Sequence, residues 1–132
     1  MQNLATAVPQ FWNGQQLTWS IMACVDGQTY SIFDVPNPIA GAKAAELQSA
    51  SYTSTHTTFV VSAGPVDITL DFLSTVSPKD YIRQSMPFSY LTVSTAPSDS
   101  AQHTVQIYSD MDNSWIGQYG SCLLYTSPSP RD

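Results

Sequence analysis

The sequence predicts an all-β protein, an antiparallel β-sandwich, from three observations. Apolar residues alternate with hydroxyl and acidic residues along several short runs, the period-two signature of half-buried strands. Turn-forming pairs, Asp26-Gly27 and Gly64-Pro65, divide those runs at hairpin spacing. Helical periodicity is almost absent, and only Ala42–Ala50 (AKAAELQSA) has helix-favouring composition.

Taken in order, Leu17–Val25 (LTWSIMACV) reads as an apolar-rich strand. Asp26-Gly27 turns it into QTYSIFDV, which shows Tyr30, Ile32 and Asp34 on one face. Asp-Gly between two such runs is a strong hairpin signal, because a type I′ turn needs positive φ at both central residues. Pro36–Gly41 is a loop, since two prolines cannot sit inside a ladder. SYTSTHTTFVVSAG and VDITLDFLS are two further runs. In the second, Val66, Ile68, Leu70 and Phe72 or Leu73 face inward, while Asp67, Thr69 and Asp71 face water. SPKDYIRQS reads as a polar connection with a turn at Pro78-Lys79-Asp80. MPFSYLTVSTA alternates again, with Phe88, Tyr90 or Leu91, and Val93 inward and Ser89, Thr92 and Ser94 on the wet face. HTVQIYSDMD then places Val105 and Ile107 inward. About six or seven antiparallel strands with short turns amount to a sandwich.

Composition narrows the function. The chain has 132 residues, enough for one domain with a real core. Hydrophobic residues make up 42%, which excludes a disordered chain, and charged residues only 11%. With four basic residues and a net charge of −6, it lacks the electrostatic footprint of a nucleic-acid or anionic-membrane binder. No apolar run approaches the roughly 18–20 residues that a membrane span requires. The first residues, Met1-Gln2-Asn3-Leu4, have neither the basic start nor the apolar middle of a secretory leader.

No catalytic, cofactor-binding or metal-binding residue stands out. Asp67 and Asp71 share one strand face, but outward alternation predicts solvated acids rather than an acid–base pair. Asp110–Ser114 (DMDNS) begins like a calcium loop. It then puts Trp115 where glycine is needed and lacks the closing glutamate, so a strand-end turn accounts for it. His56 and His103 open strands among threonines and have no second ligand at zinc spacing. There is no nucleophile-elbow motif, phosphate loop or glycosylation sequon, and Cys24 lies mid-strand, where thiols are usually inert. Phe11, Trp12, Trp19, Tyr30, Trp115 and Tyr119 are either core aromatics or a sugar-stacking platform.

Two resemblances go further. CLLYTSPSPRD, residues 122–132, matches residue for residue one reading frame of a common transposase sequencing adapter. The strand pattern stops at the same place, so the native sequence is expected to end near Ser121. Any pairing of Cys24 with Cys122 would then have no meaning. Without the tail, three basic and nine acidic residues still give −6.

QFWNGQ at Gln10–Gln15, VDGQTYSIF at Val25–Phe33 and above all VDITLDFLSTVSPKDYIRQSMPFSYLTVS at Val66–Ser94 resemble the non-catalytic N-terminal β-sandwich domain of the fungal-type glutaminase A family. VQIYSDMDNSW is a looser match, Met86 before Pro87 is a minor departure, and the family context makes Ala42–Ala50 a loop or a strand start despite its helix-favouring composition. The resemblance implies that residues 1–121 are one such domain, truncated at both ends, from a secreted multi-domain protein. It implies a parent that hydrolyses L-glutamine to L-glutamate and ammonia through a downstream helical, toroid-like catalytic domain. That domain would be the partner of this one, which alone would be inactive and hold no cofactor. An apolar patch involving Trp12, Trp115 and Tyr119 is expected where the two domains meet. The alternative is a carbohydrate-binding or adhesion module that uses exposed aromatics.

Overall fold

The computed structural model describes residues 10–33, 39–111 and 113–116. The expected boundary near Ser121, the tail at 122–132, Tyr119 and Asp34 lie outside them. Among the described residues there are eight strands: β1 (Trp19–Val25), β2 (Gln28–Phe33), β3 (Lys43–Ala44), β4 (Glu46–Tyr52), β5 (His56–Ala63), β6 (Val66–Ser74), β7 (Ser89–Pro97) and β8 (Val105–Met111). A short helix, α1 (Tyr81–Ser85), joins β6 to β7, and a 3-10 turn (Asn113–Ile116) follows β8. The strands form two four-stranded sheets, ordered β3-β2-β1-β8 and β4-β5-β6-β7. Neighbours are antiparallel except β2 and β3, which pair in parallel over two residues. The fold is the expected all-β sandwich.

Period-two alternation builds the core. Ile21, Ala23, Val25 and Ile32 of the first sheet meet Val61, Ala63, Val66, Ile68 and Leu70 of the second, all essentially excluded from water. Burying each of the larger side chains contributes about 1.5–3 kcal/mol. Ala45, buried between β3 and β4, marks where the chain leaves one sheet for the other. Its N–H donates to the Ser31 carbonyl at 2.8 Å. One end of the sandwich is closed by aromatics from both sheets. Trp19 stacks on Phe33 at 6.2 Å and meets Phe72 edge-on at 5.5 Å, and Phe59 touches both Phe33 and Phe72.

Both expected turns are present. Asp26 (φ 49°) and Gly27 (φ 84°) close the pair Val25↔Gln28, as a type I′ turn requires. Gly64 (φ 67°) precedes Pro65 between Ala63↔Val66, the type II′ arrangement with glycine first.

Several expectations are corrected. Residues 51–64 are not one run: Thr53 breaks them, its hydroxyl accepting from the His56 N–H at 3.0 Å and its own N–H donating to the His56 carbonyl. Local hydroxyl–backbone bonding of this kind competes with a continuous ladder. The stretch at Ala42–Ala50 does start strands, as the family context led one to expect: it forms β3 and β4, because pairing with β2 and β5 outweighs its helical propensity. SPKDYIRQS is more than a polar connection, since Asp80 caps α1 by accepting from the Arg83 N–H at 3.1 Å. Leu91 and Val93 face the core, but Phe88 precedes the ladder and is 70% exposed. Ser89 shares the inward parity of Leu91, whereas Thr92 and Ser94 lie outward as expected. Ile107 has inward parity opposite Ala23, yet remains part-exposed because β8 is an edge strand.

A Cβ at Gly64 would lie 2.5 Å from the Tyr30 hydroxyl, on a backbone that favours glycine, whereas one at Gly27 would meet nothing within 4 Å. Gly64→Ala is expected to cost about 1–3 kcal/mol. Urea denaturation should show a larger loss than for Gly27→Ala, and adding Tyr30→Phe should restore part of the difference. Equal losses for the two glycines would mean that the Tyr30 contact has no weight.

Candidate functional site

Three places gather side chains that could carry chemistry. The first joins the β1–β2 turn to the connection between β7 and β8. His103 lies between two carboxylates, with Nδ1 2.6 Å from Asp26 Oδ2 and Nε2 2.8 Å from Asp99 Oδ1. The other Asp26 oxygen accepts from the Thr104 N–H at 2.9 Å, and Asp99 accepts from the Ala101 N–H at 2.8 Å. The imidazole is only 11% exposed. With an acceptor at each nitrogen, only the doubly protonated ring donates to both. Hydrogen bonds to Asp26 and then Asp99 raise the His103 pKa, and the bond to His103 lowers those of both carboxylates. No ring nitrogen is left over to act as a base or to bind a metal. This cluster therefore holds the fold together.

The second place is the outer face of the β4–β7 sheet. His56 Nδ1 lies 3.0 Å from both oxygens of Asp71, and Thr58 Oγ1 donates to Asp71 at 3.1 Å. Asp71 is thus engaged rather than simply solvated, whereas Asp67 lies outward opposite Ser62 and Ala96. The hydroxyl bonds the carboxylate and not the imidazole, so the arrangement is not that of an activated nucleophile. Among the described residues, no group of three His, Cys, Asp or Glu side chains could hold a metal ion.

The third place is the corner made by α1 and the start of β7. Thr75, Ser77, Arg83, Met86, Phe88 and Tyr90 line a groove of about 330 Å³. Val76, Tyr81 and Ile82 are also exposed within the same stretch, Thr75–Tyr90. Elsewhere, Cys24 is a free, part-buried thiol on the outer face of the first sheet, beside Met22 and Tyr108.

The expected aromatic patch does not form as drawn. Trp115 is part-buried, meeting Trp19 edge-on at 5.6 Å and donating from Nε1 to the Thr18 carbonyl at 2.7 Å. Trp19, Tyr30 and Phe11 likewise belong to the packed interior or its margin. Trp12 alone of the tryptophans is free, at 97% exposure. Asp110 lies near the end of β8, opposite Ser20, and accepts from the Tyr108 hydroxyl at 3.0 Å. Sequence reasoning missed the His103 cluster. The four-residue step from Asp99 to His103 was a usable signal, but Asp26 is brought in only by tertiary folding.

The His103 cluster makes stability depend on pH with a defined sign. The raised His103 pKa contributes stability that is complete below the ordinary value of about 6.5 and is lost as pH rises through the folded-state value. The lowered Asp26 and Asp99 values contribute stability above about 3.9 that is lost as pH falls. His103→Gln should therefore cost most between about pH 4 and 6.5 and progressively less toward pH 9. Urea midpoints for both proteins at pH 5 and pH 9 check this, and a difference unchanged between the two would refute it.

With the geometry in hand, the relatives can be placed. The family described as "Domain of unknown function (DUF5127)" matches residues 55–124, from the start of β5 past the 3-10 turn. The chain is 36% identical over 114 residues to glutaminase A of Aspergillus oryzae, an alignment covering 85% of this chain and 16% of that protein. It is 34% identical over 134 aligned positions to a probable glutaminase of Arthroderma benhamiae, covering 89% of this chain and 15% of that protein. The chain thus spans about one-sixth of the length of these relatives. No solved structure matches it. The chain belongs to the DUF5127 family, an N-terminal domain of glutaminase-A-like proteins.

Proposed function

We propose that this chain is the non-catalytic N-terminal sandwich of a secreted amidohydrolase that converts L-glutamine to L-glutamate and ammonia. Its role is to dock on a helical catalytic domain elsewhere in the same polypeptide. The observation that carries the reading is the homology to glutaminase A over 85% of this chain, set against the 16% of that protein it accounts for. The geometry is compatible with a structural role. The one well-buried imidazole is clamped between carboxylates, and the His56–Asp71 pair holds two neighbouring strands together. A module built this way supplies shape and a surface, and its partner supplies the reacting groups.

A second reading, a carbohydrate-binding module, has one observation in its favour: Trp12 projects at 97% exposure from a tight turn, as a stacking platform would. Retention on insoluble polysaccharide that Trp12→Ala abolishes would establish it.

The leading reading is tested by offering L-glutamine to this chain and to the full-length polypeptide of the source transcript and measuring released ammonia. The full-length protein should release it and the chain alone should not. Turnover by the isolated chain would overturn the structural role, and a full-length protein inert on glutamine would overturn the assigned reaction.

A further inference from the structure

The corner formed by Thr75–Tyr90 does something unusual for a connection. Val76, Tyr81, Ile82, Met86, Phe88 and Tyr90, between 42% and 83% exposed, all project from it. They are held there rather than left loose. The Asp80 N–H donates to the Ser77 carbonyl at 3.0 Å, and the Ser77 N–H donates to Gln84 Oε1. Thr75 Oγ1 donates to the Phe88 carbonyl at 3.3 Å, and Ser85 Oγ donates to the Ile82 carbonyl at 2.8 Å. These bonds brace the backbone of the corner, and the apolar side chains are turned outward. Ordered apolar surface of this kind is the mark of a covered interface.

Charge points the same way. On a chain of net charge −6, two of the four basic residues, Lys79 and Arg83, lie in this stretch. Arg83 is 76% exposed even while its Nε lies 3.3 Å from Asp80. The surface that fits here is therefore apolar with an acidic rim. A sugar face fits less well, because aliphatic Val76, Ile82 and Met86 are interspersed with the aromatics. We infer that the corner made by α1 and the start of β7 is the face on which the remainder of the full-length polypeptide is seated. This inference rests on the docking role proposed above. Homologues about six times as long as this chain provide the mass that would cover it.

The test is hydrogen–deuterium exchange on the isolated chain and on the full-length polypeptide of the source transcript. Peptides spanning 75–90 should exchange about tenfold more slowly in the full-length protein. An Ile82→Asp/Phe88→Asp variant of the full-length protein should lose that protection while peptides spanning 56–74 keep theirs, showing that the sandwich still folds. Protection that arises only elsewhere on the domain would overturn this placement and leave the docking role standing. Protection nowhere would overturn both. Concentration-dependent protection of 75–90 in the isolated chain would assign the face to a second copy, and protection by added oligosaccharide would assign it to sugar. Either result overturns the inference.

Discussion

The packing of Trp19 and Phe33 from one sheet against Phe59 and Phe72 from the other is the contact on which the sandwich depends. The rings are 5.5–6.2 Å apart and mostly edge-to-face, the arrangement that exposes the positive edge of one ring to the negative face of the next. Each such pair adds about 0.5–1.5 kcal/mol beyond simple burial. Among the described residues no disulfide joins the sheets, and most of their remaining contacts are aliphatic and non-directional. The aromatic end supplies the directional part. It fixes how far apart the sheets stand and how they are turned against one another.

From that end the rest is positioned. Trp19 also carries Trp115, which bonds the Thr18 carbonyl and so brings the segment after β8 back onto the start of β1. At another turn of the sandwich, His103 and its two carboxylates tie the β1–β2 turn to the connection between β7 and β8. The polar residues that resemble catalytic groups are therefore fasteners, and the surface left for interaction is apolar.

Much of this was legible in the sequence, for identifiable reasons. Period-two patterning in Val66–Phe72 and glycine at the turns are local signals, and they gave the strands and both hairpins. Thr53 went unread because its hydroxyl bond to His56 looks, in one dimension, like any Ser/Thr-rich strand. Phe88 was placed inside because alternation gives parity but not where a ladder begins. The His103 cluster depends on residues 77 positions apart, and no spacing rule spans that distance. The outward-facing corner is hidden for two reasons: SPKDYIRQS reads as a polar connection, which masks Tyr81 and Ile82, and alternation reads Phe88 and Tyr90 as core, while the fold leaves all four exposed.

Sheet order also has a bearing on synthesis. Strands β4 to β7 form a meander in which every pairing is with the next strand along, so that sheet can assemble as it leaves the ribosome. β1 is different, because its second partner is β8, with Trp19 opposite Met111. One edge of β1 must therefore stay unpaired until about eighty residues beyond Val25 have emerged and Val105 can pair with it. Closing so long a loop is slow relative to hairpin formation. The first strand to be made is thus among the last to be fully paired, and during that interval its open edge is the segment a chaperone would hold.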